Sequence, residues 1–475
     1  RQVEIGVGTV DTTDIQPGHR LTERMLAVVQ QQHRAGVLQD VLLTLHRMAR
    51  LQRQIHRTAA QDGQDSRIQR TALGQADTNH HRTFTLIEQG QQSLLDRAAQ
   101  SMQLAVVEGG ACHVQCWSFG ALNEALLKPL DDQGRYLPFE ALRYRWASGL
   151  DARLCWALVK KARTAQFSRL LPLGEPLQWG HYLLTPLAQK AISAVDRQAT
   201  TAALEFMTSQ IGEHAHFSYL LNDLIEDEAI SSSQLEGAAT TTRVAKDMLK
   251  RKRQPRTPDE RMVIGNYKMM NYAWEKRDEP LSIELISAMH RVGVEGIDDA
   301  QYSPGKFRNN DEVVVQDGEG NTVHVPPQAA GLVSRLQRLA NWINQCHDDP
   351  EQVDYLHPLI KGISLHFALG YEHPFRDGNG RVARALFYWF MFKNDFSAFR
   401  YIAISILLRN APVKYGRSYL NSEADNLDLT YFIDFQCSVI LRAVRGFAQA
   451  YRKSLAYANR FDDWLLYAMD SPWAG

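Results

Sequence analysis

The sequence predicts a mainly α-helical chain with a single β-hairpin. Three observations carry that expectation. Apolar residues recur at helical spacing across most of the chain beyond residue 136, as in Leu359, Ile360, Ile363, Phe367 and Tyr371. Two β-branched runs, Glu312 to Val315 and Thr322 to Val325, flank an Asp-Gly-containing turn, which is a hairpin signal. A turn rich in glycine, Pro374 to Gly380, separates two strongly apolar helical segments, His357–Tyr371 and Arg381–Lys393.

In chain order, residues 1–121 stand apart. No lysine precedes Lys128, and Gln, Arg, His, Thr and Ala dominate from Gln30 to Gln100, although Leu38 to Leu51 keeps helix-compatible spacing. This composition reads as an atypical extension, either helical or disordered with a partner-binding role or foreign to the native protein; the second reading is preferred. Residues 122–202 read as a small helical accessory region, with short helices at Tyr136–Arg145 and Leu150–Gln166. Helical signal runs from Leu187 to Asp227, and an acidic stretch, Leu221 to Ile230, leads into Ser232. The basic segment Arg251 to Pro258 reads as a solvated linker because of its prolines. Helices follow at Asp259–Trp274, Ser282–Val292 and Asp428–Ala450, with residues 451–475 as a tail.

Composition narrows the function. Fifty-three basic and 53 acidic residues cancel, so nothing electrostatic favours nucleic acid as a partner. No apolar run reaches membrane-spanning length, and no signal peptide is evident. The five cysteines are scattered; Cys112 and Cys116 with His113 between them lack the second pair a metal site needs. Reduced thiols in the cytoplasm are expected.

The chemistry concentrates in His373-Pro374-Phe375-Arg376-Asp377-Gly378-Asn379-Gly380-Arg381-Val382-Ala383-Arg384. His373 suits a general base near neutral pH. Asp377 is a hard oxygen ligand suited to Mg2+ bridging phosphates. Gly378 and Gly380 allow positive φ or close backbone approach, and Asn379 tolerates a tight turn while offering an amide donor. The start of the following helix favours an anion. Arg381 and Arg384, three residues apart, share a face and can grip neighbouring phosphates. Phe375 has no polar role and is expected to anchor the loop in the core.

These twelve residues resemble the signature of the Fic family, His-x-Phe-x-Asp/Glu-Gly-Asn-Gly-Arg-x-x-Arg, with every specified position filled. The resemblance covers roughly residues 203–450 and implies a Fic-type helical domain, including an inhibitory helix, that acts as a protein adenylyltransferase. It implies ATP as co-substrate, Mg2+ on Asp377, and a target protein whose Ser, Thr or Tyr hydroxyl loses its proton to His373. Phe375, Gly378, Asn379, Gly380, Arg381 and Arg384 would line the nucleotide site, and Tyr415, with Tyr419, lies where the family contacts adenine. Related sites that phosphorylate depart at the second glycine, so an intact Gly380 favours AMP transfer. Ser232-Ser233-Gln234-Leu235-Glu236-Gly237 resembles the family's inhibitory motif. Glu236 would pair bidentately with Arg384 and deny it to the γ-phosphate. Ser232 would cap or hydrogen-bond near its helix end. The hairpin at 312–325 would form a flap over the site, able to pair with an extended target segment. Two rivals remain: removal of AMP from a modified protein on the same fold, with Glu236 positioning water, and a non-catalytic nucleotide sensor. The resemblance also allows homodimers.

Overall fold

A computed structural model describes residues 104–108, 111–115, 128–146, 151–211, 214–297, 302–349, 351 and 355–469. The chain divides into two compact units. The first comprises Arg1–Asp131 and Leu137–Gln166, the second Asp132–Tyr136 and Phe167–Gly475. The expected boundary at 202/203 falls inside the second unit.

In the first unit, most of the atypical segment, including Leu38–Leu51, lies outside the described residues. The described part is an antiparallel hairpin, β1 (Leu104–Glu108) with β2 (Ala111–Gln115), in which Val106 faces His113. Two helices follow, α1 (Phe139–Leu142) and α2 (Ala152–Thr164). Arg163 on α2 is buried, stacks over Trp156, and donates from Nε to the Pro129 carbonyl (2.9 Å) and from Nη2 to the Leu137 carbonyl (2.8 Å). A buried guanidinium is tolerable here because backbone oxygens satisfy it.

The second unit begins with a hairpin that departs from the expected helical accessory region: β3 (Ser168–Leu173) pairs antiparallel with β4 (Gln178–Tyr182). Leu170, Leu171 and Leu173 are all buried, so the run shows no alternation. A short apolar run bounded by Gly and Pro carries no period that separates strand from helix. The described residues thus hold three hairpins, not one.

Helices then dominate: α3 (Pro186–Gln198), α4 (Thr201–Ile211), α5 (His214–Leu235), α6 (Thr242–Lys250), α7 (Pro258–Glu275) and α8 (Ile283–Val294). Their starts are set by capping hydroxyls. Thr185, Thr241, Thr257 and Ser282 each accept from the N–H three residues on, and proline opens α3 and α7. The expected hairpin is present but shorter. β5 (Val315–Gln316) pairs with β6 (Thr322–His324), and Asp317 folds the turn by accepting from the N–H groups of Glu319 and Asn321. Glu312 to Val314 lie outside the ladder.

α9 (Leu332–Asn344), α10 (Pro358–Glu372) and α11 (Asn379–Lys393) follow. α10 and α11 are apolar on nearly every side and form the centre of the main core. Burial of large side chains such as Phe367 and Trp389 contributes roughly 1.5–3 kcal/mol each. After a 3-10 turn (Ser397–Tyr401) come α12 (Ser405–Arg409), α13 (Pro412–Ala424) and α14 (Thr430–Met469). The last helix runs on past residue 450, so the expected tail is helix as far as Met469. Among the described residues no helix is long and apolar enough to cross a membrane.

Candidate active site

The signature lies in the turn between α10 and α11, the two most buried helices, so its side chains project from a rigid base. His373 closes α10 in the left-handed region (φ 45°), which is costly for a residue with a Cβ. Its neighbours hold it there. Its N–H donates to the Leu369 carbonyl (3.0 Å), and its own carbonyl accepts from Arg308 Nε (2.9 Å). The same guanidinium donates to the carbonyls of Glu372 (3.3 Å) and Pro327, while the Arg308 N–H bonds the Pro374 carbonyl (2.9 Å). Arg308 is therefore a bracket that joins the backbone of the signature turn to Pro327, just past the β5–β6 hairpin.

The His373 ring is fixed by a hydrogen bond from Nδ1 to the Gly370 carbonyl (3.2 Å). A carbonyl only accepts, so Nδ1 carries the proton and Nε2 keeps its lone pair. Burial pushes the His373 pKa down to about 4, and the nearby His324 charge acts in the same direction. The ring is a neutral base at physiological pH.

The glycines divide their labour. Gly378 (φ 80°) makes the left-handed turn into α11. Gly380 supplies space: a Cβ there would overlap Glu236 Oε1. The Asn379 side chain is engaged with the backbone of its own loop. Its Oδ1 accepts from the Phe375 N–H and its Nδ2 donates to the Phe375 carbonyl, both at 2.8 Å. The amide is spent bracing the loop. Phe375 is fully buried and packs between Phe307 and His290, so its ring anchors the turn.

The two arginines are both buried and incompletely satisfied. Arg381 makes one long bond, from Nη1 to the Gly293 carbonyl (3.4 Å), and its Nε and Nη2 have no partner. Arg384 donates from Nε to Ser232 Oγ (2.9 Å) and from Nη2 to the Ser232 carbonyl (3.1 Å) and Glu236 Oε1 (2.8 Å), leaving Nη1 open. Buried cationic donors without partners are costly, and an anion would relieve them.

Glu236 sits one residue past α5, with Gly237 (φ 97°) turning the chain away. Its contact with Arg384 is through one oxygen, Oε1 on Nη2, not the bidentate fork expected, and Ser232 takes Nε and shares Nη2. Ser232 is thus an Arg384 partner and not a helix cap. Burial would raise the Glu236 pKa, but the charges of Arg384 and Arg381 prevail and hold it below the usual carboxylate range. The carboxylate lies against Gly380 at the start of α11, the position where a helix favours an anion. α5 is itself anchored by buried Glu228, which accepts from the Ser405 N–H (2.8 Å) and Oγ (2.5 Å).

Asp377 is half-buried at the same turn and accepts from the Gly378 N–H. A single carboxylate beside open phosphate-binding donors fits Mg2+, which keeps waters and substrate oxygens as its other ligands. Tyr415 Oη bonds His366 Nε2 (2.8 Å) and lies close enough to Arg384 to feel its charge. Cys112 lies on β2, and Cys116 falls outside the described residues.

Three residues in the site were not singled out by sequence. Arg308 is one. His290 is another: Nδ1 accepts from the Gly305 N–H (3.0 Å), Nε2 donates to the Asp377 carbonyl (3.0 Å), and the ring stacks on Phe375 at 3.8 Å. Burial lowers its pKa to about 4. Tyr302 is the third, its ring under the Arg381 guanidinium at 5.4 Å. Arg308 closes the run Gly305-Lys306-Phe307-Arg308, which leads into the β5–β6 hairpin.

A base of fixed tautomer, a carboxylate, and two incompletely satisfied guanidinium groups surround one helix start, an arrangement suited to holding an anion beside a proton acceptor. Residues 280–391 match the Fic/DOC family. It is 32% identical over 126 residues to the protein adenylyltransferase Fic of Drosophila mojavensis, covering 26% of this chain and 22% of that protein. With the protein adenylyltransferase Fic of Nematostella vectensis it shares 27% identity over 180 residues, covering 38% and 37%. The chain therefore spans between about a fifth and two fifths of the length of these curated relatives. Among solved structures, a Fic family protein from Desulfovibrio desulfuricans G20 aligns with a TM-score of 0.44 at 20% identity, covering 56% of this chain and 76% of that one.

Proposed function

We propose that this protein is an adenylyltransferase that moves AMP from ATP to a hydroxyl of a target protein and is held off by Glu236. The observation that carries the reading is the Glu236 carboxylate. It lies against Gly380 and on Arg384, where the signature would otherwise hold a phosphate. An arginine so engaged cannot grip the γ-phosphate, and ATP would settle in an unproductive pose.

With Glu236 displaced, Arg384 and Arg381 would bind the β- and γ-phosphates through the donors now without partners. His373 Nε2 takes the proton of the acceptor hydroxyl. The oxygen attacks the α-phosphorus, an O–P bond forms, and the bond to the leaving pyrophosphate breaks. Mg2+, held by Asp377 when bound, would neutralise phosphate charge. The half-buried Tyr415 and Tyr419 would contact adenine. The expected labelling is simple to test. Incubation with α-labelled ATP should mark the protein or a lysate target, Glu236→Gly should increase the label, and His373→Ala should abolish it. No label from the Glu236→Gly variant with any nucleotide overturns the reading.

One observation favours a second activity. Glu236 is deprotonated, and its Oε2 has no hydrogen bond from the described residues. That oxygen could orient a water for hydrolysis of an AMP–protein ester. Loss of AMP from a pre-modified target, abolished by Glu236→Gln, distinguishes it.

A further inference from the structure

His324 on β6 is buried at the foot of the flap, and both of its ring nitrogens face acceptors. Nδ1 lies 2.7 Å from Glu423 Oε2 on α13, and Nε2 lies 2.9 Å from the Tyr371 carbonyl on α10. Neither a carboxylate nor a carbonyl can donate, so a neutral imidazole would leave one nitrogen lone pair against an oxygen lone pair. Only the doubly protonated ring satisfies both contacts. The ring centroid is 6.5 Å from that of His373.

We propose that His324 is a positioning residue that works as an imidazolium latch, tying the flap strand to α10 and α13 and so fixing where an acceptor segment lies relative to His373. The acceptor part of this statement rests on the AMP-transfer reading; the latch itself does not.

The charges around the ring fit. Burial opposes the cation, but the hydrogen bond and charge of Glu423 outweigh it, and the pKa is raised above 6.5. Arg308, on the segment before the hairpin, is the opposing cation. Tyr371 packs against the ring at 5.5 Å, and His373 is kept neutral in part by the His324 charge. Glu372 does not compete, since Arg335 (2.7 Å) and the Gly174 N–H (3.0 Å) occupy it. On the hairpin itself, Asp317 and Glu319 are exposed at the tip. The sign follows from the raised value. The latch is complete below pH 6.5 and is lost as the pH rises through the folded pKa.

The test uses the full chain with ¹⁵N-labelled histidine. The His324 resonances, assigned by their disappearance in His324→Gln, should show both ring nitrogens protonated below pH 6.5. The isosteric Glu423→Gln should lower the titration midpoint by at least one unit, a tenfold loss of proton affinity. In parallel, protease cutting of the 317–321 turn, normalised to a peptide substrate, should accelerate from pH 6.5 to 8.5 in the wild type. In Glu423→Gln it should already be fast at pH 6.5. A neutral His324 at pH 6.5 in the wild type, or a midpoint unmoved in Glu423→Gln, overturns the latch. In the labelling assay Glu423→Gln should raise KM for the protein acceptor and leave KM for ATP unchanged. Should no variant label at all while the titration and cutting results hold, the transfer reading fails and the latch stands.

Discussion

Removal of the Glu236 carboxylate is the most direct test of the proposal that Glu236 holds the site off. In the resting protein one charge-assisted bond joins Arg384 Nη2 to Glu236 Oε1 at 2.8 Å, and the Glu236 side chain is 25% exposed. Bonds of this kind contribute about 1.5–3 kcal/mol. Partial exposure screens the pair and moves the value toward the lower end, about 1.5–2 kcal/mol. Every 1.4 kcal/mol is a factor of ten, so Glu236→Gly should raise the initial rate of label incorporation by roughly 10- to 30-fold. Glu236→Gln keeps the shape and loses the charge, and about 1 kcal/mol corresponds to an increase of only about fivefold. The assay is incorporation from α-labelled ATP at saturating acceptor, with apparent KM for ATP measured alongside. The same change strands a buried arginine, although Ser232 keeps two of its bonds, so Tm without nucleotide should fall and recover with ATP. A folded Glu236→Gly variant that labels no faster than wild type and shows no drop in Tm would refute the claim that this carboxylate governs Arg384.

Three further outcomes are expected. Because burial holds His373 at about 4, kcat of the Glu236→Gly variant at saturating acceptor should show no acid limb above pH 5 and fall only near pH 4; an acid limb centred at 6.5 would show that the base is not this ring. On the proposed reading Arg384→Ala removes both the Glu236 contact and the phosphate grip, so the double variant with Glu236→Gly should show no activation, a non-additivity readable in a double-mutant cycle. His290→Ala deletes the Phe375 stack and leaves the Asp377 carbonyl and Gly305 N–H without partners, for a loss of about 3–4 kcal/mol in urea unfolding.

Much of this fold could be read locally. α10 and α11 begin and end within two residues of their periodic patterns, and α7 and α8 start at Thr257 and Ser282 because a hydroxyl before an apolar run satisfies orphan N–H groups in any context. The β3–β4 hairpin was not legible, since consecutive burial of Leu170, Leu171 and Leu173 comes from covering on both faces, which a linear pattern does not encode. The signature likewise gave the residue types of the site and missed Arg308, His290 and Tyr302, which lie 65 or more positions before His373 and reach it only through tertiary packing.

The amino-acid sequence by itself determined the chemistry. A histidine, a carboxylate, two glycines and two arginines in this order read as a turn between helices with a candidate base and anion cradle, and the three-residue spacing of Arg381 and Arg384 puts them on one helix face. It also placed Glu236 upstream as a candidate brake. Tertiary structure decided how those groups are used. Asn379 is spent on the Phe375 backbone, Ser232 takes part of the Arg384 fork, and Glu236 holds Arg384 through one oxygen while covering Gly380. It also turned both nitrogens of His324 toward acceptors. Those outcomes depend on which donors and acceptors meet when distant segments pack, and each buried polar group must be satisfied by whatever neighbour the fold brings to it.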